Sequence, residues 1–153
     1  MKLYIRQETF TIGDKFHVRD ENGADRYFVR RPPLSRSFNV YNMRDEHVAR
    51  ISRHFLRMLF DVEISGSFVV SIQKRLTLFR EHYDLLDTDW ELNGDFTAHE
   101  YTLSNGSEII MTISKEWFTW GDCYALDIAD PQNELLSLCI VLAVDAVKDA
   151  QSK

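Results

Sequence analysis

Leu135-Leu136-Ser137-Leu138-Cys139-Ile140-Val141-Leu142-Ala143-Val144-Asp145-Ala146-Val147 decides the fold. Wound into a helix, its apolar residues leave no polar stripe, and a helix apolar all round has to be enclosed all round. The run is about a dozen residues long, short of the roughly 20 that span a bilayer. It therefore predicts a helix enclosed by protein, from about residue 134 to 148. Asp130 is a good N-cap, and Pro131 suits the first helical position, where a missing N–H costs nothing. Asn133 with Glu134 is an alternative start, and Glu134 places negative charge near the positive helix end. Asp145, Lys148 and Asp149 restore polarity at the other end.

Everything before this helix reads as β-structure. Phe16, Phe38 and Phe60 stand 22 residues apart, and each opens an aromatic-x-Val strand followed by a turn and a returning strand. The turns are Asp20-Glu21-Asn22-Gly23, Asn42-Met43-Arg44-Asp45 and Ser65-Gly66. Asn-Gly is a strong hairpin signal, because tight hairpin turns need positive φ. Tyr83, Tyr101 and Tyr124 start three looser units of the same kind. With Leu3 to Gln7 and the Trp90 to Gly94 segment, the count is about a dozen short strands. Such spacing argues a sandwich or barrel. Many antiparallel strands and one all-apolar helix have an economical joint solution. The fold expected is mainly β, a closed antiparallel barrel of about twelve strands enclosing a hydrophobic C-terminal helix. Closure also removes exposed sheet edges. One domain is expected, spanning 1–153.

The formal net charge of −6 is unevenly distributed. Residues 1–80 carry 15 Lys/Arg against 9 Asp/Glu, and residues 81–153 carry 3 against 15. This pattern suggests one basic and one acidic surface, or two halves attracting each other within one fold. Met1 to Arg6 turns charged at once and does not read as a secretion signal. Cys123 and Cys139 make no disulfide framework and suit buried thiols in a reducing compartment. The expected location is cytoplasmic, with peripheral membrane attachment as an extension of it and no transmembrane span.

A search for chemistry yields little. His17, His47, His54, His82 and His99 form no His-Glu-x-x-His, and there is no Cys-x-x-Cys, so no metal or other cofactor is expected. Cys123 paired with a distant histidine is the one nucleophile arrangement to weigh, and a buried structural thiol is the better reading. Asp84, Asp87, Asp89, Glu91, Asn93 and Asp95 resemble a calcium loop at alternate positions. The template requires Gly where Leu92 stands and Glu where Ala98 stands, so the segment reads as a solvated acidic hairpin. No phosphate-binding glycine loop is present. The acidic balance argues against nucleic acid as a partner. Trp117 and Thr119 would share one strand face, and Phe118 and Trp120 the other, with one aromatic pair in the core.

The densest basic set is Arg44, Arg50, Arg53 and Arg57 with Lys74, Arg75 and Arg80. If strands 48–53 and 68–74 pair, these side chains gather at one barrel end. Arginine favours planar anions such as phosphate. Leu56, Met58, Leu59 and Phe60 lie among them, a basic-apolar mixture suited to a membrane surface. Arg50, Arg53, Lys74 and Arg75 are the candidate ligand-binding residues.

Two motifs carry a family resemblance over essentially the whole chain. They are Gly94-Asp95-Phe96-Thr97-Ala98-His99-Glu100-Tyr101 and the longer Ser114-Lys115-Glu116-Trp117-Phe118-Thr119-Trp120-Gly121-Asp122 with Tyr124-Ala125-Leu126-Asp127-Ile128-Ala129-Asp130-Pro131. Together with the apolar helix, Leu3 to Gln7 and Gly13 to Phe16, they resemble the LURP-one-related proteins, whose fold is like the Tubby C-terminal domain and the phospholipid scramblases. The resemblance implies a twelve-stranded barrel around a hydrophobic helix, and it implies no reaction. Tubby-type domains bind phosphoinositides through basic residues, none of which can be matched here one by one. No cysteine-rich stretch corresponds to a scramblase palmitoylation region. The function expected is non-enzymatic binding of anionic phospholipid headgroups or other phosphate-bearing ligands. An intracellular protein-interaction scaffold is the alternative, and an enzyme with a dispersed site the third reading.

Overall fold

The computed structural model describes residues 1–8, 14–32, 35–54, 56–78, 80–95, 100–118 and 121–151, without the side chains of residues 7, 8, 14, 116–118, 121, 122 and 148–151. Twelve strands run in order: β1 (Lys2–Glu8), β2 (Asp14–Asp20), β3 (Asp25–Arg31), β4 (Ser37–Asn42), β5 (His47–Arg53), β6 (Leu59–Ile64), β7 (Ser67–Arg75), β8 (Arg80–Leu85), β9 (Trp90–Asp95), β10 (Glu100–Asn105), β11 (Glu108–Phe118) and β12 (Gly121–Ile128). Each pairs antiparallel with the next, and β12 returns to β1, closing the barrel. The helix α1 (Glu134–Gln151) follows a short 3-10 turn at Pro131–Asn133. Asp130 caps that turn, its side chain accepting from the Gln132 N–H at 3.0 Å.

The 22-residue spacing has a geometric cause. Phe16 lies opposite Val29, and Val29 opposite Val40, two residues along β4 from Phe38. The same two-residue offset leads from Phe38 to Phe60, then to Tyr83, Tyr101 and Tyr124, and across the closure back to Phe16. The offset per hairpin equals the number of strands in it, so the barrel's shear equals its strand number. Strands spaced about 4.8 Å apart and tilted about 35° then close at a radius of about 11 Å. That lumen accommodates a helix of about 10–12 Å diameter inside one layer of wall side chains. The six aromatics form a ring at one level. Phe16, Phe38, Phe60, Tyr83 and Tyr101 are buried, and Tyr124 is half-buried.

The helix fills this space. Leu138 to Val144, Ala146 and Val147 are all buried, together with inward wall residues such as Leu3, Val18, Ile51, Ile72, Leu92, Leu103 and Leu126. α1 lies nearest β5 and β6, where the inward residue Ala49 is small enough to admit it. It runs from the end of β12 toward the opposite rim. Its N-terminus therefore shares one end of the barrel with the tight hairpin turns, and its C-terminus points to the end carrying the longer connections.

Candidate functional site

The turn end is acidic and stiff. Asp20 Oδ1 accepts from the N–H groups of Asn22 and Ala24 at 2.9 and 3.0 Å. Twenty-two residues later, Asn42 Oδ1 accepts from Arg44 and Glu46, both at 3.0 Å. Such side-chain-to-backbone bonds replace water on turn N–H groups. Gly23 at φ 79° and Gly66 at φ 79° occupy left-handed positions that glycine takes without cost. Asp20, Glu21, Asp45, Glu46, Asp87, Asp89 and Asp130 gather here. Arg26 clamps Glu134 at the helix start, with Nη2 2.8 and 2.9 Å from the two carboxylate oxygens.

The loop end is basic from β5 to β8, with Asp95 and Glu100 on the rim beyond. Arg53 closes β5, Lys74 and Arg75 close β7, and Arg80 opens β8. Arg57 lies in the connection between β5 and β6. The side chains of Arg57, Lys74 and Arg80 have no partner among the described residues. These cations lie on the rim toward which the C-terminal end of α1 points, and the dipole of that end favours positive charge.

The four candidate residues divide between two settings. β5 and β7 do not pair, because β6 lies between them. The expected direct pairing of strands 48–53 and 68–74 is thus corrected: each hairpin pairs with the next in a simple meander. Alternation then sorts the side chains. Arg53 lies opposite buried Phe60, and Lys74 opposite buried Tyr83, so both occupy inward positions at the mouth of the lumen. Their backbones are two strand spacings apart, about 10 Å. Arg53 leans over the following loop, its Nε donating to the Arg57 carbonyl at 3.4 Å. Arg50 and Arg75 lie on the outer wall. Arg50 Nε donates to Asn39 Oδ1 at 3.2 Å, and Arg75 forks onto Asp84 at 2.9 and 3.1 Å.

A buried polar group lies beside Lys74, beginning on the neighbouring strand β8. Glu81, Tyr83 and Leu85 alternate inward on β8. Tyr101 donates its hydroxyl to the Glu81 carboxylate across Gly94, which stands opposite both residues. A Cβ at Gly94 would lie 2.4 Å from the Tyr101 ring, so only glycine lets the ring cross. Burial, reinforced by the Glu81 charge, pushes the Tyr83 and Tyr101 hydroxyls well above their usual range. The Tyr83 hydroxyl is buried without a hydrogen-bond partner among the described residues. Glu81 is not among the residues singled out from the sequence. The alternation of Glu81 with Tyr83 and Leu85 was the available signal.

The acidic segment from Asp84 to Asp95 forms a hairpin wall, not an encircling loop. Within it, His82, Asp84 and Glu91 offer ligand atoms within 4.8 Å of one another. Their bonds are already taken. His82 Nδ1 is 2.5 Å from Asn93 Oδ1 and its Nε2 is 2.9 Å from Asp84 Oδ1, while Arg75 holds both Asp84 oxygens. Burial alone would raise the Asp84 carboxyl, but the bonds from His82 and Arg75 outweigh it and hold the group below the ordinary range. The cluster reads as an ion-pair network on the outer wall. Cys139 faces the core, and burial pushes its thiol up to about 12, which leaves no thiolate for nucleophilic chemistry. Cys123 is also buried and makes no disulfide, its thiol donating to the Tyr124 carbonyl. His17 packs edge-on against Phe28, with 4.8 Å between ring centroids. His47 bonds Asn39, and His54 bonds Asp61 at 2.7 Å. His99, Trp120 and the side chains of Trp117 and Phe118 lie outside the described residues. No helix among the described residues is long and apolar enough to cross a membrane.

Comparison with known proteins agrees with this architecture. The family model described as LURP-one-related matches residues 1–145. The chain is 26% identical over 151 residues to the "Uncharacterized protein YxjI" of Bacillus subtilis (strain 168), covering 96% of this chain and 93% of that one. Among solved structures, the Arabidopsis thaliana protein AT5G01750 is similar in fold, with a TM-score of 0.64 at 13% identity over 95% of this chain and 91% of that one.

Proposed function

This chain belongs to the LURP-one-related family, and within it we propose a non-enzymatic binding protein for anionic, phosphate-bearing headgroups, with the loop end as its binding face. One observation carries the reading. Arg53 and Lys74 stand on either side of β6 at the mouth of the lumen, with Arg57 and Arg80 beside them; Lys74 and Arg57 form no ion pair among the described residues, and Arg80 stands opposite Asp95 of β9. Two long cationic side chains rooted about 10 Å apart can meet on one phosphate. Arginine contributes paired N–H donors and lysine a point charge. Of the other two candidates, Arg75 contributes if the ligand draws it from Asp84, and Arg50 adds only to the field from the outer wall.

Co-sedimentation tests the reading, comparing phosphatidylcholine vesicles with the same vesicles containing phosphatidylserine. Binding to the anionic vesicles is expected to weaken steeply with salt. The double reversal Arg53→Glu with Lys74→Glu is expected to abolish it, with little change in thermal stability. Equal binding to neutral and anionic vesicles at low salt rejects the reading. A second reading, a protein-binding surface, draws on Phe68 and Val69, which are exposed on β7 toward the turn end. A partner captured through those residues, and lost on Phe68→Ser, would favour it.

A further inference from the structure

Resting on the headgroup reading, we propose that the barrel docks end-on to an anionic bilayer, with Leu56, Leu76 and Leu78 inserted below the headgroups. These three leucines are 85%, 95% and 91% exposed, the three most exposed large apolar side chains among the described residues. Leu56 sits in the β5–β6 connection, and Leu76 and Leu78 in the β7–β8 connection. The two connections leave the barrel side by side. Leu59 lies opposite Gln73, and the Met58 carbonyl still accepts from the Lys74 N–H at 2.9 Å, on the last rung before both loops depart.

Nothing in the fold calls for leucine at these positions. Leu56 has φ 61°, a left-handed conformation in which a bulky side chain is strained and glycine or asparagine would be favoured. A residue that is both strained and exposed contributes little to the folded state, and such positions point to function. The occupant follows from charge. The leucines are ringed by Arg53, Arg57, Lys74, Arg75 and Arg80, an arrangement that brings an anionic surface to the apolar tips. Phe68, 63% exposed, lies on β7 toward the acidic turn end, where an anionic surface is repelled. Leucine tips also choose between ligand sources: a free phosphate gives them nothing to bury in, whereas a bilayer does.

The test uses the full chain and the same two vesicle compositions. The variant Leu56→Ser with Leu76→Ser and Leu78→Ser is expected to bind phosphatidylserine-containing vesicles at least tenfold more weakly than the parent. Its remaining binding is expected to vanish with added salt, while the parent keeps a salt-resistant fraction. Phe68→Ser is expected to bind like the parent. Circular dichroism melts check that the variants fold, and Leu76→Ser alone provides a milder second variant. Undiminished binding by the triple variant, with the charge reversal at Arg53 and Lys74 still abolishing it, overturns insertion and leaves headgroup binding standing. A parent dimer that the triple variant converts to monomer, seen by light scattering with vesicle binding unchanged, assigns the patch to a second copy of the chain and also overturns the proposal. A parent with no preference for anionic vesicles defeats the headgroup reading itself, and this one with it.

Discussion

The two ends of this barrel are made by the same twelve strands and differ in nearly everything else. At the turn end, Asp20 and Asn42 cap their own backbones at equivalent points of successive hairpins, and positive φ falls on Gly23, Gly66 and Gly106 and on the small polar residues Asp45, Ser65 and Asp87. The chain reverses there on mostly acidic side chains, with Met43 and Leu86 as the exposed large apolar residues of the turns. At the loop end a leucine occupies a left-handed position, three leucines face water and the cations collect. One end follows the local rules that stabilise a fold, and the other departs from them. Departures of this kind mark the surface where something other than folding sets the sequence.

The contrast holds only if both ends hang on one core. Leu142→Ala is expected to destabilise the whole barrel by about 2–5 kcal/mol, the range for a large-to-small core change. Chemical denaturation followed by near-UV and far-UV signals checks this, and the two transitions should coincide. Separate transitions would mean that the ends belong to different cooperative units. Deleting the chain from Pro131 is expected to abolish cooperative folding, because it empties the lumen.

Smaller changes sharpen the comparison. Gly94→Ala forces the Tyr101 ring off Gly94 and is expected to cost about 1–3 kcal/mol, as overpacking does. Tyr101→Phe leaves buried Glu81 without that hydroxyl donor and is expected to cost a similar 1–3 kcal/mol. Both are read from denaturant midpoints. At the turn end, Arg26→Ala removes a partly exposed ion pair and is expected to cost less than about 1 kcal/mol. At the loop end, Leu56→Gly is expected to have the opposite sign. Relief of left-handed strain, about 1–2 kcal/mol, exceeds the entropy cost of glycine, about 0.5–1 kcal/mol. The variant should gain roughly 0.5 kcal/mol while losing vesicle affinity. A clear loss of stability would show that Leu56 serves the fold after all.

Much of the architecture was legible in the residues. An all-apolar helix cannot face water, and the Phe16-Phe38-Phe60 spacing measures one hairpin of a barrel whose shear equals its strand number. Asp130 and Pro131 mark the start of a 3-10 turn, and α1 begins three residues later, at the alternative start Glu134. Less of the site was legible. Arg50 and Arg53 are three residues apart on a strand, so period-2 alternation sends them to opposite faces, and the cluster expected from their closeness in sequence splits. β6 separates β5 from β7, because a meander pairs every strand with its immediate successor. The exposure of Leu76 and Leu78 was hidden, since apolar residues after a strand read equally well as its continuation. The inward place of Glu81 was legible in its alternation with Tyr83 and Leu85, but its Tyr101 partner, 20 residues away, was not.

The most direct test of a membrane-facing loop end and a solvent-facing turn end is the depth of each in the presence of anionic vesicles. Cysteines introduced as Leu76→Cys and, separately, Asn22→Cys can be labelled on the folded protein with an environment-sensitive fluorophore, because Cys123 and Cys139 are both buried. The account predicts that the label at position 76 shifts to the blue and is quenched by lipids carrying a quencher in their acyl chains, while the label at position 22 does neither. A blue shift at position 22, or none at position 76 when the protein sediments with the vesicles, would contradict it.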